Sequence, residues 1–437
     1  MFNFQKFTTM KKIMFWSLIA LATLSMTSCS QDETLEARPQ ENAIEFGTYL
    51  GRDVQTRGVV LTDANLENMG VFAFYTGQKT WVADSSTLYP NFMHNQLVTY
   101  NNRQWSYSPL KYWPTTQNDK ITFFAYAPAM TSGNGITAVS AIDKTGTPTV
   151  TYTIDEKNLE NMADFVADAM IDITQSQNIL NSNYNEDSID NANRTVQFQL
   201  NHELTRVNIK AKLNTVDFDG QNNTTKVNIT DIKFFGPGFA TSATYTFAKQ
   251  NDILDANGGT TKYRGTWGSR NSNEVNEQTE AISIFDNDDT AYTGDAKFVN
   301  KVQGLRNGNQ NYKTYGVEVS STTAVDLFVK DSQTTANNEY LFLIPVDGGT
   351  TTGKEVYMEV SYDIVTFDDK LNDGLSVTPA TKVIKLQDSL LQQGVAYNIL
   401  LTFGLNEIEL TANVAEDWNT PTDYNHNVDW PKNKTLN

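Results

Sequence analysis

Apolar residues fall on alternate positions in run after run of this chain. Val207, Ile209, Ala211 and Leu213 alternate with Asn208, Lys210, Lys212 and Asn214. The same spacing recurs at Ile121, Phe123, Ala125; at Val196, Phe198, Leu200; at Val356, Met358, Val360, Tyr362; and at Tyr397, Ile399, Leu401, Phe403. Successive side chains of a strand point to opposite faces, so alternation is the signature of half-buried strands and cannot serve a helix, whose faces repeat every ~3.6 residues. Clusters such as "TSGNG", "FDGQNNTT", "LDANGGTT" and "VDGGTTTG" separate the runs with turn chemistry. The pattern predicts an all-β chain of paired antiparallel sheets. One helix is expected as an exception, at Asn158–Met170 ("NLENMADFVADAM").

With 437 residues the chain is too long for one ordinary domain. A polar stretch without alternation, "NSNYNEDSIDNANRT" at 181–195, suggests the break, giving an N-terminal β-sandwich at 43–193 and a C-terminal one at 194–419. Residues 420–437 form a polar tail with two prolines. Ahead of the sandwiches, Lys11 and Lys12 precede an apolar stretch, Ile13 to Leu24. That stretch is shorter than the ~20 residues that span a bilayer and suits a secretion signal, residues 1–28. The sole cysteine, Cys29, follows "MTS" directly, where a bacterial lipobox puts the thiol that is acylated; the other reading is an incidental cysteine in a discarded leader. Residues 29–42 are acidic and polar, as a tether would be.

Composition excludes several functions. The formal charge is -18, and loss of residues 1–28 would remove Lys6, Lys11 and Lys12 and no acid, taking it to -21. No basic stripe is present to contact phosphates, so nucleic acid is not an expected partner. The three histidines, His94, His202 and His426, lie far apart in unlike contexts, and His202 sits on a strand pattern as a structural histidine would. No catalytic triad, P-loop or metalloprotease motif appears, and no enzyme activity, cofactor or metal is expected. Acid clusters at Phe285–Asp295 and Thr366–Gly374 lack the calcium-loop spacing of the EF-hand and read as solvated loops, with calcium the alternative.

Five phrases carry a resemblance: "WSYSPLKYWP" (105–114), "DKITFFAYAP" (119–128), "FQLNHELTRVNIKAKL" (198–213), "YLFLIP" (340–345) and "GVAYNILLTFGLNEIELTANVAEDW" (394–418). With the lipobox in front, the chain resembles the fimbrillin-like subunits of Bacteroidales type V pili over nearly its whole length. The resemblance implies two transthyretin-like sandwiches, export as an outer-membrane lipoprotein anchored through Cys29, removal of an N-terminal strand by proteolysis, and polymerisation with other fimbrial subunits at the cell surface by strand donation. Candidates for each part can be named. Ile44 and Phe46 would belong to the displaced strand, and cleavage is expected at Arg57-Gly58, with Arg52 or Arg38 as alternatives. Ile408, Leu410, Ala412, Val414 and Trp418 would be the inward residues of the donor; the other reading makes them the last strand of their own domain. The polar tail fits a donor poorly and keeps open a tip adhesin, or a surface lipoprotein binding host glycan or matrix.

The phrase "QWSYSPLKYWP" at 104–114 holds Trp105, Tyr107, Tyr112 and Trp113 within a few residues. A sugar platform is one use of such a cluster. Alternation of Trp105 and Tyr107 with serines, followed by Pro109, favours a strand, a corner and packing against a core.

Overall fold

The computed structural model describes residues 43–50, 61 and 65–417 apart from 117, 132, 156–158, 160–161, 176–194, 219–223, 250–252, 255–259, 262–263, 269–280, 285–302, 305–313, 328–340, 347–354, 373, 387–389 and 406–407. The chain is all-β. In order, the strands are β1 (Glu45–Leu50), β2 (Asn68–Gly77), β3 (Met93–Asn101), β4 (Gln104–Ser106), β5 (Lys120–Ala127), β6 (Ile136–Val139), β7 (Thr149–Thr153), β8 (Val166–Ile173) and β9 (Thr195–His202). Then come β10 (Thr205–Leu213), β11 (Thr225–Phe235), β12 (Ser242–Thr246), β13 (Ile253–Leu254), β14 (Thr260–Thr261), β15 (Thr266–Gly268), β16 (Ile282–Ser283), β17 (Gln303–Gly304) and β18 (Thr314–Tyr315). The last are β19 (Val317–Val319), β20 (Val325–Asp326), β21 (Leu341–Leu343), β22 (Tyr357–Phe367), β23 (Leu375–Lys385), β24 (Val395–Phe403) and β25 (Ile408–Asp417). The only α-helix among the described residues is the single turn α1 (Trp81–Asp84).

Among the described residues the helix expected at Asn158–Met170 gives way to β8, which takes the last five residues of that segment, Val166–Met170. Ala167, Ala169 and Met170 suit a helix by local preference, but with Val166 and Ile171 they are buried along a ladder with β5 that runs from Ala127↔Val166 to Ile121↔Ile173. Pairing and burial on both sheet faces outweigh intrinsic propensity here.

β1 to β5, β8 and β9 build a seven-stranded sheet in the order β1-β9-β8-β5-β2-β3-β4. Its middle strand, β5, is buried on both faces, which is why "ITFFAYA" reads as a near-continuous apolar run. Ile121, Phe123, Ala125 and Ala127 enter one core, with Val71, Ala73, Val98, Val196 and Phe198. Phe124 and Tyr126 enter another, facing the four-stranded sheet β15-β12-β7-β6. Rings fill that interface: Phe165 lies 5.1 Å from Tyr245 and 5.7 Å from Trp267, edge to face in both cases, and Phe124 lies 5.4 Å from Phe247.

The strand pairings cross the boundary suggested by the sequence. β9 runs beside β1 and β8, and β12 pairs with β7 from Ser242↔Thr153 to Thr246↔Thr149. A cut at 193/194 would therefore divide the seven-stranded sheet and separate β7 from β12. The chain changes sheets instead between β9 and β10, across Glu203 and Leu204, both buried. From β10 onward, the sheet β20-β10-β24-β25, with β21 also on β10, faces the sheet β16-β11-β22-β23, with β19 also on β11. Val207, Ile209, Leu401 and Phe403 meet Ile229, Phe234, Val360 and Tyr362 between them, and Tyr362 packs edge-on to Phe403 at 5.1 Å.

One edge stands apart. β23 pairs with β22 over its whole length, Leu375↔Phe367 to Lys385↔Tyr357, and among the described residues with nothing on its other side. Ser376, Thr378, Pro379, Thr381, Lys382 and Lys385 along it are exposed. Proline and lysine on an edge resist pairing with a foreign strand. For the core, Trp267→Ala removes rings from the Phe165–Tyr245 cluster and is expected to lower stability by about 3–5 kcal/mol in urea unfolding.

Candidate functional site

The site begins with the segment "AIEFGTYLG". β1 lies at the end of the seven-stranded sheet and runs parallel to β9, in register from Glu45↔Thr195 to Leu50↔Leu200. Ile44, Phe46 and Leu50 are buried in the core while Glu45 is exposed, as alternation requires. The Phe46 ring sits 5.2 Å from Tyr107, 6.0 Å from Phe123 and 5.9 Å from Phe198. Burial of each such side chain contributes ~1.5–3 kcal/mol gross. Among the described residues, β9 is the only strand with which β1 forms a ladder. No hairpin joins them, and β9 ladders with β8 only at Val166↔His202 and Ala167↔Asn201, so removing β1 would leave Thr195–Leu200 without a ladder partner beside the apolar trough lined by Tyr107, Phe123 and Phe198.

The aromatic corner closes the far side of this groove. Trp105 and Tyr107 are half-buried against the core, and Trp113 is 2% exposed. Trp105, Tyr107 and Trp113 are therefore packing, whereas Tyr112 is exposed. The Ile44 N–H donates to the Lys111 carbonyl at 2.8 Å. The Tyr107 hydroxyl donates to the Ile44 carbonyl at 2.9 Å and accepts from the Lys111 N–H at 3.3 Å. Burial pushes the Tyr107 phenol up to about 12, only partly offset by its hydrogen bond to the Lys111 backbone, so it remains a donor at any physiological pH.

A buried polar cluster marks the passage from β9 to β10. His202 Nδ1 lies 2.7 Å from Asp164 Oδ2, which also accepts the Leu61 N–H at 3.2 Å. Glu203 accepts from Gln393 Nε2 and lies within hydrogen-bond reach of the Tyr245 hydroxyl. Trp267 Nε1 donates to the Glu203 carbonyl at 2.8 Å, and Arg264 donates to the Gln393 carbonyl at 2.9 Å. Burial raises the Glu203 carboxyl to about 8, against the opposing pull of Gln393, Arg264 and Tyr245. His202 is thus a structural residue, as its strand context suggested.

At the other end of the chain, β25 pairs with β24 antiparallel, from Phe403↔Ile408 to Val395↔Asp417, with Val414 opposite Tyr397. Ile408, Leu410 and Ala412 are half-buried against the main core, whereas Glu409 and Thr411 are exposed. In the single chain this segment is the last strand of its own sheet, the second of the two readings drawn from the sequence. Cys29, Arg38, Arg52, Arg57, Gly58 and Trp418 lie outside the described residues, as does the acid cluster at 285–295. The cluster at 366–374 forms the β22–β23 turn, where Asp368 Oδ1 accepts the Lys370 N–H at 3.0 Å. Among the described residues no group of His, Cys, Asp or Glu is placed to hold a metal ion, and no helix is long and apolar enough to cross a membrane. Sequence reasoning named Ile44 and Phe46 but missed their partners Tyr107 and Lys111, for which the phrase "SYSPLKY" was the only signal.

An all-β chain whose terminal strand β1 ladders with β9 at the end of a sheet, above an apolar core, has the architecture of a β-sandwich protein with an addressable sheet edge. No family model matches the chain. It is 30% identical over 433 residues to the fimbrium subunit Fim1C of Phocaeicola vulgatus, a match covering 94% of this chain and 98% of that protein. Its structure is similar to the crystal structure of a fimbrial protein from Bacteroides vulgatus ATCC 8482, with a TM-score of 0.59 and 27% identity over 86% of this chain and 99% of that one. The chain belongs to the fimbrillin-like family of Bacteroidales fimbrial subunits.

Two outcomes follow from this geometry. Phe46→Ala is expected to raise amide exchange across Glu45–Leu50 about a hundredfold while leaving β5 amides unchanged, read by mass spectrometry. Glu203 has a folded pKa above its unfolded value, so its contribution is fully present below about pH 4.5 and is lost as pH rises toward about 8. Glu203→Gln should therefore flatten the fall in melting temperature between pH 5 and pH 8 relative to the natural chain.

Proposed function

We propose that this protein is a structural subunit of a cell-surface fimbria that leaves the cell as a lipoprotein acylated on Cys29. A trypsin-like protease then cuts at Arg57-Gly58, and the cut subunit joins its neighbours by strand donation. The single observation behind the assembly step is the seat of β1: one parallel ladder to β9, no hairpin, and Ile44, Phe46 and Leu50 buried in a groove that the rest of the sheet already shapes. Release of such a strand exposes β9 and an apolar trough together, which favours refilling by another strand. The donor is the C-terminal segment with Ile408, Leu410, Ala412, Val414 and Trp418. Its release from β24 breaks one ladder and frees side chains that, as far as they are described, are only half-buried. Similarity to a protein named as a fimbrium subunit supports the same reading, and with it a location on the cell surface.

The subunit works as two sandwiches; β9 belongs to the first, which moves the change of sheet to Glu203–Leu204, and β12 and β15 come back from beyond that point to complete the first sandwich beside β7. N-terminal sequencing of material sheared from cells should begin at Gly58, and purified chain cut there should form filaments under the electron microscope while uncut chain stays monomeric. Monomers in both preparations would overturn the assembly reading, and a start at acylated Cys29 in the sheared material would overturn the cleavage.

A further inference from the structure

The mouth of the β1 groove is built differently from its length. Along Glu45–Leu50 the strand is held by ladder bonds to β9 and by buried side chains, contacts that any suitably alternating strand could reproduce. At Ile44, whose side chain is also buried, a further hold comes from outside the ladder and falls on the backbone. The Lys111 carbonyl receives the Ile44 N–H at 2.8 Å, and the Tyr107 hydroxyl gives its proton to the Ile44 carbonyl at 2.9 Å. Tyr107 Oη and the Lys111 oxygen lie 3.5 Å apart, and the Lys111 N–H ties back to the same hydroxyl. One acceptor and one donor are thus set side by side, on a corner whose Trp113 is buried in the core and whose Tyr107 ring also rests on Phe46 of β1.

We propose that Tyr107 and the Lys111 carbonyl form a clamp that sets both the register and the direction of any strand entering this groove, and that its occupant in the polymer is residues 408–417 of a second copy, with Ile408 at the clamp. The proposal rests on the strand-donation reading above. A residue of a strand offers its N–H and its C=O on the same side, in an order fixed by chain direction. A strand entering in the direction of β1 matches acceptor and donor; a reversed strand sets its carbonyl against the Lys111 carbonyl and loses the bond. Proline cannot occupy the clamp, since it has no N–H. The spacing of the occupant follows. β1 offers Ile44, Phe46, Thr48 and Leu50 on alternate positions, and the C-terminal segment offers Ile408, Leu410, Ala412 and Val414 in the same sequence of large, large, small and large, without proline. With Ile408 on the clamp, Leu410 takes the place of Phe46, against Phe123 and Phe198, and the donated strand runs parallel to β9.

Tyr107→Phe removes only the hydroxyl and keeps the ring on Phe46. In the intact full chain it should speed amide exchange at Ile44 about tenfold, the effect of one lost hydrogen bond, with Leu50 unchanged. Unaltered exchange at Ile44 would overturn the clamp. In full chain cut after Arg57, by a trypsin-like protease or at a site engineered there, a synthetic peptide of residues 408–417 should displace the first strand. N-methylation of its Ile408 nitrogen should weaken that binding about tenfold, whereas N-methylation of Leu410 should leave it nearly unchanged. A peptide indifferent to N-methylation at 408 would overturn the assigned register and direction. If no peptide binds although Tyr107→Phe accelerates exchange at Ile44, the strand-donation reading fails and the clamp on β1 stands.

Discussion

β5 carries the structure because it is buried on both faces. Its odd-numbered residues, Ile121, Phe123 and Ala125, and its even-numbered ones, Phe124 and Tyr126, belong to separate apolar cores. Every side chain of β1 that is buried enters the first of these. The larger core, which holds Phe165, Tyr245 and Trp267 and runs on into the sheets of β10 and β11, takes nothing from β1. Loss of the first strand thus strips one side of one sheet, and the molecule keeps the packing that maintains the shape of the groove. A fold whose strands shared a single core would have no such separation.

Much of this was legible in the sequence. The alternation at Val207–Leu213, Val196–Leu200 and Tyr397–Phe403 became β10, β9 and β24, because half-buried strands write their faces directly into the residue order. Strands buried on both sides do not, and β8, with its two alanines and Met170, reads as a helix until β5 is known to lie beside it. Ile44 and Phe46 were found through their alternation. Tyr107 and Lys111 could not be, since a hydroxyl meeting a carbonyl 63 residues away in sequence, and a backbone carbonyl with no side-chain signature, leave no periodic trace. The same holds for β12 joining β7, a pairing between distant segments that no local pattern announces.

The short passage from β9 to β10 ties the two halves together with polar atoms in place of a loose linker. Glu203 is surrounded by Gln393 from the approach to β24, by Tyr245 of β12 and by the Trp267 indole of β15, so the halves meet around a carboxyl that burial keeps easily protonated. Such a cluster adds little stability by itself, but its geometry admits few alternatives, which favours one fixed angle between the halves. An angle held constant in each copy is what a regular repeat would need.

The exposed edge at β23 has a consequence of its own. Polymer chemistry distinguishes monomers by their functionality, the number of bonds each can form: two give lines, three or more give networks. A chain with one groove and one donor has a functionality of two, provided its remaining long edge stays inert. Pro379 lacks the amide needed to extend the ladder, and Lys382 and Lys385 would have to lose water beside any strand that tried. In a polymer joined by the proposed strand donation, the most unguarded-looking strand of the molecule would then be the one that keeps growth one-dimensional.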